Sequence, residues 1–155
     1  MDRTRVCGTR DPGPIPGGRT MKITICASLK FWEKLVDLKA SLEAMGHIVN
    51  MPIKAAGVDY WSKDGSKRVE VKKSEKLLHK HMKKIEDSDA ILVANFTKGD
   101  IENYVGANTF LEIGFAEYLG KKIYFLNSLP NQPYISEELE SIDSTVLDGD
   151  LGKIS

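Results

Sequence analysis

The chain contains 155 residues and carries 22 basic and 22 acidic side chains, so its formal net charge is zero. This length suits one compact domain with a full hydrophobic core. The balanced charge argues against a nucleic acid polymer or a membrane surface as a partner, because both attract a surplus of positive charge. No apolar run approaches the roughly 18 residues that a membrane-spanning helix needs.

The two cysteines, Cys7 and Cys26, lie in unlike contexts, a polar tail and an apolar run. Isolated thiols without a paired spacing predict neither a disulfide framework nor a metal site, and they fit a reducing cytoplasm. Cys26 is expected to be a small buried side chain. His79 and His81 would point in different directions on a helix, so a shared metal ion is not expected.

The first twenty residues contain four Arg, three Pro and four Gly but few apolar side chains. Such a segment cannot bury enough surface to offset the entropy of ordering, and it lacks the hydrophobic segment of a signal peptide. We therefore expect residues 1–20 to be a disordered tail, either an upstream extension or an artificial addition. Residues 21–155 are expected to form one domain.

The first folded part of the chain has the pattern of a βαβ unit. Residues 21–28 are an apolar, β-rich run, and residues 47–51 form a second such run. Between them, residues 31–45 carry apolar side chains at helical spacing, and Gly46 is placed to end that helix. A strand, a helix and a strand within about thirty residues predict a parallel sheet.

Residues 54–68 interrupt this pattern with a polar loop that contains Tyr60 and Trp61. These aromatic side chains could cover a ligand and stack on a flat ring, or they could simply pin the loop to the body. A single long helix is predicted over residues 69–87, with an apolar side and a lysine-rich, solvated side, one part of which could assist a phosphate.

The second half of the chain repeats the alternation of strands and helices. Residues 90–96 and 122–127 are predicted strands, with a helix between them in the stretch 105–120, and a short acidic helix spans residues 136–141 before a polar end. The loop over residues 97–108 follows a strand, where doubly wound sheets place their ligands. The sequence therefore predicts an α/β fold, a doubly wound flavodoxin- or Rossmann-like parallel sheet of four to five strands with helices on both faces.

Glu112 is a carboxylate within a mostly apolar helix, which would bury nearly all of its surface. One interpretation is structural, since Thr109 followed by Glu112 fits a capping box at a helix start. The other is functional, because a carboxylate at the mouth of a parallel sheet can lie beside a bound sugar. Neither G-x-x-x-x-G-K-[ST] nor G-x-G-x-x-G is present, which disfavours a kinase or an ordinary dehydrogenase.

Four segments together resemble the nucleoside 2-deoxyribosyltransferase family, including its deoxynucleoside 5′-monophosphate N-glycosidase branch. They are residues 23–28 (I-T-I-C-A-S), 85–93 (I-E-D-S-D-A-I-L-V), 108–116 (N-T-F-L-E-I-G-F-A) and 120–122 (G-K-K). The third segment is the most specific, since it is similar to the family's G-[ST]-x-x-E-[IL]-G-x-A segment. Glu112 occupies the place of the family's nucleophilic glutamate.

The resemblance implies an enzyme that cleaves the N-glycosidic bond of a nucleoside or nucleoside 5′-monophosphate. Glu112 would attack the anomeric carbon, and the sugar would then pass to water or to another base. Neither a metal nor an organic cofactor is implied. In the family, the loop that corresponds to residues 127–134 helps to complete a neighbouring subunit's pocket, so a homodimer or higher homo-oligomer is expected.

Gly106 and Ala107 stand where the family's transferases carry acidic residues, and His81 falls near the place of a family aspartate. The substrate is therefore expected to be oriented by other groups, namely His81, Asp89, Asn95 and Asn108. Trp61 is the candidate for stacking on the base.

Small polar residues at a helix N-terminus can bind an anion. The candidate phosphate contacts are therefore Ser28, Lys30, Asn108 and Thr109. Alternatively, Ser28 and Lys30 only complete a turn and face water. Two other functions stay open from the sequence. One is a non-catalytic nucleotide-binding or sensor domain on the same scaffold. The other is cleavage of the nicotinamide bond of NAD.

Overall fold

The centre of the molecule is a five-stranded parallel sheet, seen in a computed structural model that describes residues 19–54 and 57–155. Its strands are β1 (Lys22–Cys26), β2 (Ile48–Asn50), β3 (Ala90–Val93), β4 (Lys122–Phe125) and β5 (Thr145–Val146). They are arranged in the order β2-β1-β3-β4-β5, and every neighbouring pair is parallel. This order is that of a flavodoxin-like doubly wound sheet, which confirms the predicted fold class. The predicted disorder of the tail lies outside the described residues, except at Arg19 and Thr20.

Helices cover both faces of the sheet. They are α1 (Trp32–Ala44), α2 (Ser66–Glu75), α3 (Leu77–Glu86), α4 (Ala107–Tyr118) and α5 (Ser136–Ser141), with short 3₁₀ turns at Leu29–Phe31 and Leu151–Lys153. Because successive strand side chains point to opposite faces, the sheet divides the core in two. Ile23 and Ile25 share one cluster with the buried side chains of α1. Cys26 shares the other cluster with Ile85 of α3 and Ile113 of α4.

The prediction of one long helix over residues 69–87 is wrong, because two helices occupy this region. α2 ends at Glu75 and α3 begins at Leu77, with Lys76 between them in the left-handed conformation at φ 52° and ψ 45°. α3 buries His81 and Ile85, whereas α2 has no fully buried residue. The apolar spacing that the sequence shows therefore belongs to α3 alone, and α2 contacts α3 without a fully buried residue of its own.

The expectation that α4 buries nearly all of its surface is also wrong. Leu111 is 53% exposed and Tyr118 is 86% exposed, and they lie on one side of the helix. The opposite side buries Ile113 and Ala116 against the sheet. α4 therefore presents apolar side chains to solvent as well as to the core.

The segment after α5, which is predicted to be a polar end, contains a short strand and buried apolar residues. β5 pairs with β4 through only two residues, and the chain then buries Leu147 and Ile154 in the core. A two-residue strand is too short to show an alternation of polar and apolar residues. Within the described ranges, no helix is long and apolar enough to span a bilayer.

Candidate active site

The candidate site lies beyond the carboxyl ends of β1 and β3, which pair through Cys26 and Val93. The chain leaves β1 toward β2 on one side and later returns to β3 on the other side. Such a switch point separates the two following loops and opens a crevice. The segment after β1 and the N-terminal part of α4 meet there, and both line the same cavity.

Three buried side chains from three different elements meet at this point. They are Cys26 of β1, His81 of α3 and Glu112 of α4, which are 0%, 4% and 3% exposed. His81 Nε2 lies 3.7 Å from Cys26 Sγ and 3.6 Å from the Oε2 atom of Glu112. The Nδ1 atom of His81 is buried and has no hydrogen-bond partner within the described part of the chain. We call these three side chains the buried triad.

Glu112 is held by a side chain and not by a capping box. α4 begins after Gly106, so Thr109 and Glu112 are both inside the helix and the capping-box interpretation is wrong. The Nδ2 group of Asn108, one helical turn earlier, donates to Glu112 Oε2 at 3.0 Å. Asn108 therefore orients the carboxyl group of Glu112, and this carboxyl group does not cap the start of the helix.

Burial has the largest effect on the pKa values of all three side chains of the buried triad. It raises the pKa of Glu112 to about 8, against the opposing effects of a hydrogen bond from Cys26 and the charge of Lys72. Burial also lowers the pKa of His81 to about 4, with a smaller contribution from the positive charge of Lys84. The pKa of the Cys26 thiol is well above its ordinary value because of burial and the adjacent carboxylate. At neutral pH the His81–Glu112 contact is thus mainly between two uncharged groups.

A cavity of about 250 Å³ lies beside Asn108, the hydrogen-bond partner of Glu112, and is lined by the residues after β1, by Tyr60 and by the start of α4. A smaller cavity of about 60 Å³ adjoins it and reaches His81. Asn108 lines both cavities, so its side chain lies between the open space and the carboxyl group of Glu112. Small-molecule sites are typically concave, with a few polar groups converging on them.

The rim of the larger cavity is positively charged. Lys30, Arg68 and Lys72 line it, and Lys98 lies beside Lys30. The pKa of Lys30 is lowered mainly by the adjacent amino group of Lys98, with partial burial and Arg68 contributing less. Within residues 19–54 and 57–155, none of these four cations forms an ion pair with a carboxylate. An anionic group would relieve the repulsion among these cations.

The structure brings four of the sequence-predicted residues, Ser28, Lys30, His81 and Asn108, to the region of Glu112. Ser28 lines the larger cavity, although its hydroxyl also accepts a hydrogen bond from the Lys30 backbone N–H at 3.3 Å. Ser28 therefore completes a turn, as one of the two interpretations of the sequence predicts, and it also lines the larger cavity.

Trp61 and Thr109 are placed differently. Trp61 is 61% exposed and lines a neighbouring groove, where the Lys30 amino group lies 5.4 Å from the centre of its ring. Tyr60, and not Trp61, lines the two cavities beside Asn108. Thr109 is 3% exposed and lines neither of these cavities. Neither Trp61 nor Thr109 lines the two cavities beside Asn108.

Asp89 and Asn95 have structural roles in this conformation. The carboxylate of Asp89 accepts a hydrogen bond from the Lys22 backbone N–H at 2.8 Å, which places it at the amino end of the sheet, away from Glu112. The amide of Asn95 is 1% exposed and binds backbone groups of Asn127 and Ser128 through three hydrogen bonds. Neither side chain is available to orient a ligand beside Glu112.

Several site residues were not identified from the sequence. Cys26 was expected only as a buried side chain, and the alternation along β1 is the signal that places it on the same face as α4. Arg68 and Lys72 belong to α2, whose lysines look like a solvated surface, and Lys98 follows β3 in a loop. No pattern in the sequence separates them from the other exposed cations.

No protein-family model matches this chain, and no curated protein matches it. Among solved structures, the chain is similar to a structure described as Clostridium botulinum CMP N-glycosidase, BcmB. The two share 21% sequence identity and a TM-score of 0.47, over 82% of this chain and 89% of that chain. The strand order and register of this chain by themselves define its doubly wound fold.

Proposed function

We propose that this chain is an N-glycosidase that cleaves the bond between base and sugar in a nucleoside 5′-monophosphate. The observation that carries the proposal is the carboxyl group of Glu112, buried at the switch point of the sheet, next to a cavity with a cationic rim. Retaining glycosidases need one ionised carboxylate beneath the anomeric carbon. The resemblance of residues 108–116 to the deoxyribosyltransferase segment assigns the same role to Glu112.

In the proposed reaction, a carboxylate oxygen of Glu112 bonds to C1′ as the glycosidic bond breaks, and the electron pair leaves with the base. The base takes a proton from water, and a second water then attacks C1′ and releases Glu112. Transfer to another base would replace the second water. Because Asn108 lies between Glu112 and the cavity, its side chain must rotate for the carboxylate to reach the sugar.

The cationic rim supports a phosphate on the substrate. A charge-assisted hydrogen bond is worth about 1.5–3 kcal/mol, or roughly a 10- to 100-fold change in binding. We expect Lys30→Gln and Lys72→Gln each to raise KM for a 5′-monophosphate by about tenfold or more, with little effect on the corresponding nucleoside. Lys73→Gln is the matched control, because Lys73 is exposed on the same helix as Lys72 and does not line the cavity.

The direct test of the activity is a panel of nucleosides and 5′-monophosphates, ribose and deoxyribose, with released base measured by chromatography. The proposal expects release from at least one monophosphate, faster than from the matching nucleoside. Retention of every base through long incubation would contradict it. Equal kinetic parameters for monophosphate and nucleoside would remove the phosphate assignment alone.

We also propose that the chain forms a homodimer or higher homo-oligomer. Tyr134 is 98% exposed, at the end of a loop that also carries Leu129, Pro130 and Pro133. A second copy would cover this apolar loop and bring it near the neighbouring site. Light scattering should therefore give a mass of at least two chains, and Tyr134→Asp should lower it. Val69→Asp, at another exposed apolar residue, should leave the mass unchanged; a monomeric native chain would contradict the proposal.

One observation favours a second function, a non-catalytic nucleotide-binding domain. Glu112 is 3% exposed and its pKa is about 8, so most molecules hold a neutral carboxyl group at pH 7. A binding domain would need only the cavity and its rim. Tight binding of a nucleotide in calorimetry, without release of base, would establish this alternative.

A further inference from the structure

We infer that the buried triad of Cys26, His81 and Glu112 is a binding site for a single Zn²⁺ ion. A thiolate, an imidazole and a carboxylate are the three ligand types that zinc uses in proteins. The sequence does not reveal the set, because 55 positions separate Cys26 from His81. Parallel strands and the helices that follow them bring the three together at one end of the sheet.

The spacing of the donor atoms fits a tetrahedral ion. Zinc lies about 2.3 Å from sulfur and about 2.0 Å from nitrogen or oxygen, so ligand atoms around it are roughly 3.3–3.5 Å apart. In this chain, His81 Nε2 lies 3.7 Å from Cys26 Sγ and 3.6 Å from Glu112 Oε2. The three donor atoms all lie within 4.8 Å of one another, so small side-chain movements suffice.

The surroundings of the triad support the same assignment. Asn108 donates to Glu112 Oε2, and such a hydrogen bond orients a metal-binding carboxylate. The cavity of about 60 Å³ that reaches His81 has room for a water molecule as a fourth ligand and gives the ion a path from solvent. Binding of Zn²⁺ displaces the thiol proton of Cys26 and any proton on Glu112, and these protons pass to water.

A zinc ion at the buried triad would also affect the proposed reaction. The same carboxylate cannot bind zinc and attack C1′ at once. Zn²⁺ bound at the triad would therefore inhibit base release. Zinc binding itself is measured without any substrate, so its outcome is independent of whether the chain is a glycosidase.

The test is a titration of the metal-free full chain with Zn²⁺ in competition with a chromophoric chelator. We expect one ion per chain, and at least a tenfold loss of affinity in Cys26→Ser, His81→Asn and Glu112→Gln. Cys7→Ser and His79→Asn are the matched controls and should bind like the native chain. Binding that is absent, or that persists in Cys26→Ser, overturns the inference.

A second measurement uses the native chain alone, so it does not depend on whether a variant folds. Replacing zinc by Co²⁺ should give an intense visible spectrum typical of tetrahedral cobalt, with a thiolate-to-cobalt absorption band in the near ultraviolet. A weak octahedral spectrum without that band contradicts a site that includes Cys26. If the chain releases base, Zn²⁺ should inhibit the reaction with the affinity found in the titration, and uninhibited turnover by the zinc-loaded chain would refute the shared use of Glu112.

Discussion

Glu112→Gln is expected to abolish base release and, at the same time, to stabilise the fold. Glutamine keeps the size of the side chain and can still accept the hydrogen bond from Asn108, but it cannot form the bond to C1′. Loss of a catalytic nucleophile typically lowers kcat by about 10³-fold or more. The predicted loss of activity should be seen with any monophosphate that the native chain cleaves, assayed with EDTA present.

The stabilisation follows from the raised pKa of Glu112. Below pH 4.5 the carboxyl group is protonated in both the folded and the unfolded chain, so it imposes no penalty. As the pH rises toward about 8, only the unfolded chain loses the proton, and folding becomes less favourable by about 1.4 kcal/mol per pH unit. At pH 7 this penalty is on the order of 3 kcal/mol, and glutamine removes it.

Urea unfolding at pH 5 and pH 8 measures this effect. The difference in unfolding free energy between Glu112→Gln and the native chain should grow with pH. Glu117→Gln is the matched control, because Glu117 is exposed on the same helix and should change neither stability nor activity. A Glu112→Gln chain that still releases base would eliminate the proposed mechanism.

The second large effect is a strong dependence of the reaction on pH. The nucleophile must be ionised, and burial holds the pKa of Glu112 at about 8. We therefore expect kcat/KM, measured with EDTA present, to rise about tenfold from pH 6 to pH 7, less steeply from pH 7 to pH 8, and to level off above the pKa. The expected difference between pH 6 and pH 8 is about 50-fold, because half of the Glu112 carboxyl groups are still protonated at pH 8.

Cys26 provides an internal check on this pH profile. Its thiol donates a hydrogen bond that lowers the pKa of Glu112, so Cys26→Ala should move the rising part of the profile to higher pH. Lys121→Gln, at a residue far from the cavity, should leave the profile unchanged. An activity that is constant from pH 6 to 8 would show that Glu112 is already ionised and would contradict the assigned environment.

The fold could be predicted because its signals are local and strong. The apolar runs of β1 and β3 and the spacing of Leu35, Leu38 and Leu42 indicate buried strands and a helix on the sheet. The break at Lys76 could not be predicted in the same way. A lysine has no intrinsic preference for the left-handed conformation, so no signal in the local sequence marks this boundary.

The site was predictable only in part. Glu112 and Asn108 lie four residues apart on one helix, so one motif specifies both. Asp89 and Asn95 are polar residues at the two ends of β3, and from sequence either could have faced a ligand. In the structure, both side chains form hydrogen bonds with the backbone of segments that are distant in sequence. The order of the strands brings those segments together, so the sequence alone does not reveal these contacts. The cationic rim likewise assembles from α2, the 3₁₀ turn at Leu29–Phe31 and the loop after β3, which only the fold brings together.

The left-handed conformation of Lys76 separates α2 from α3, so α2 can move independently of α3. α2 has no fully buried residue, yet it carries Arg68 and Lys72, two of the charges around the cavity. With so little apolar anchoring, this helix can detach at a small fraction of the free energy that unfolds the sheet. We therefore expect α2 to be the part of the cavity wall that opens most easily, whereas Glu112 lies on a helix that is packed against the sheet.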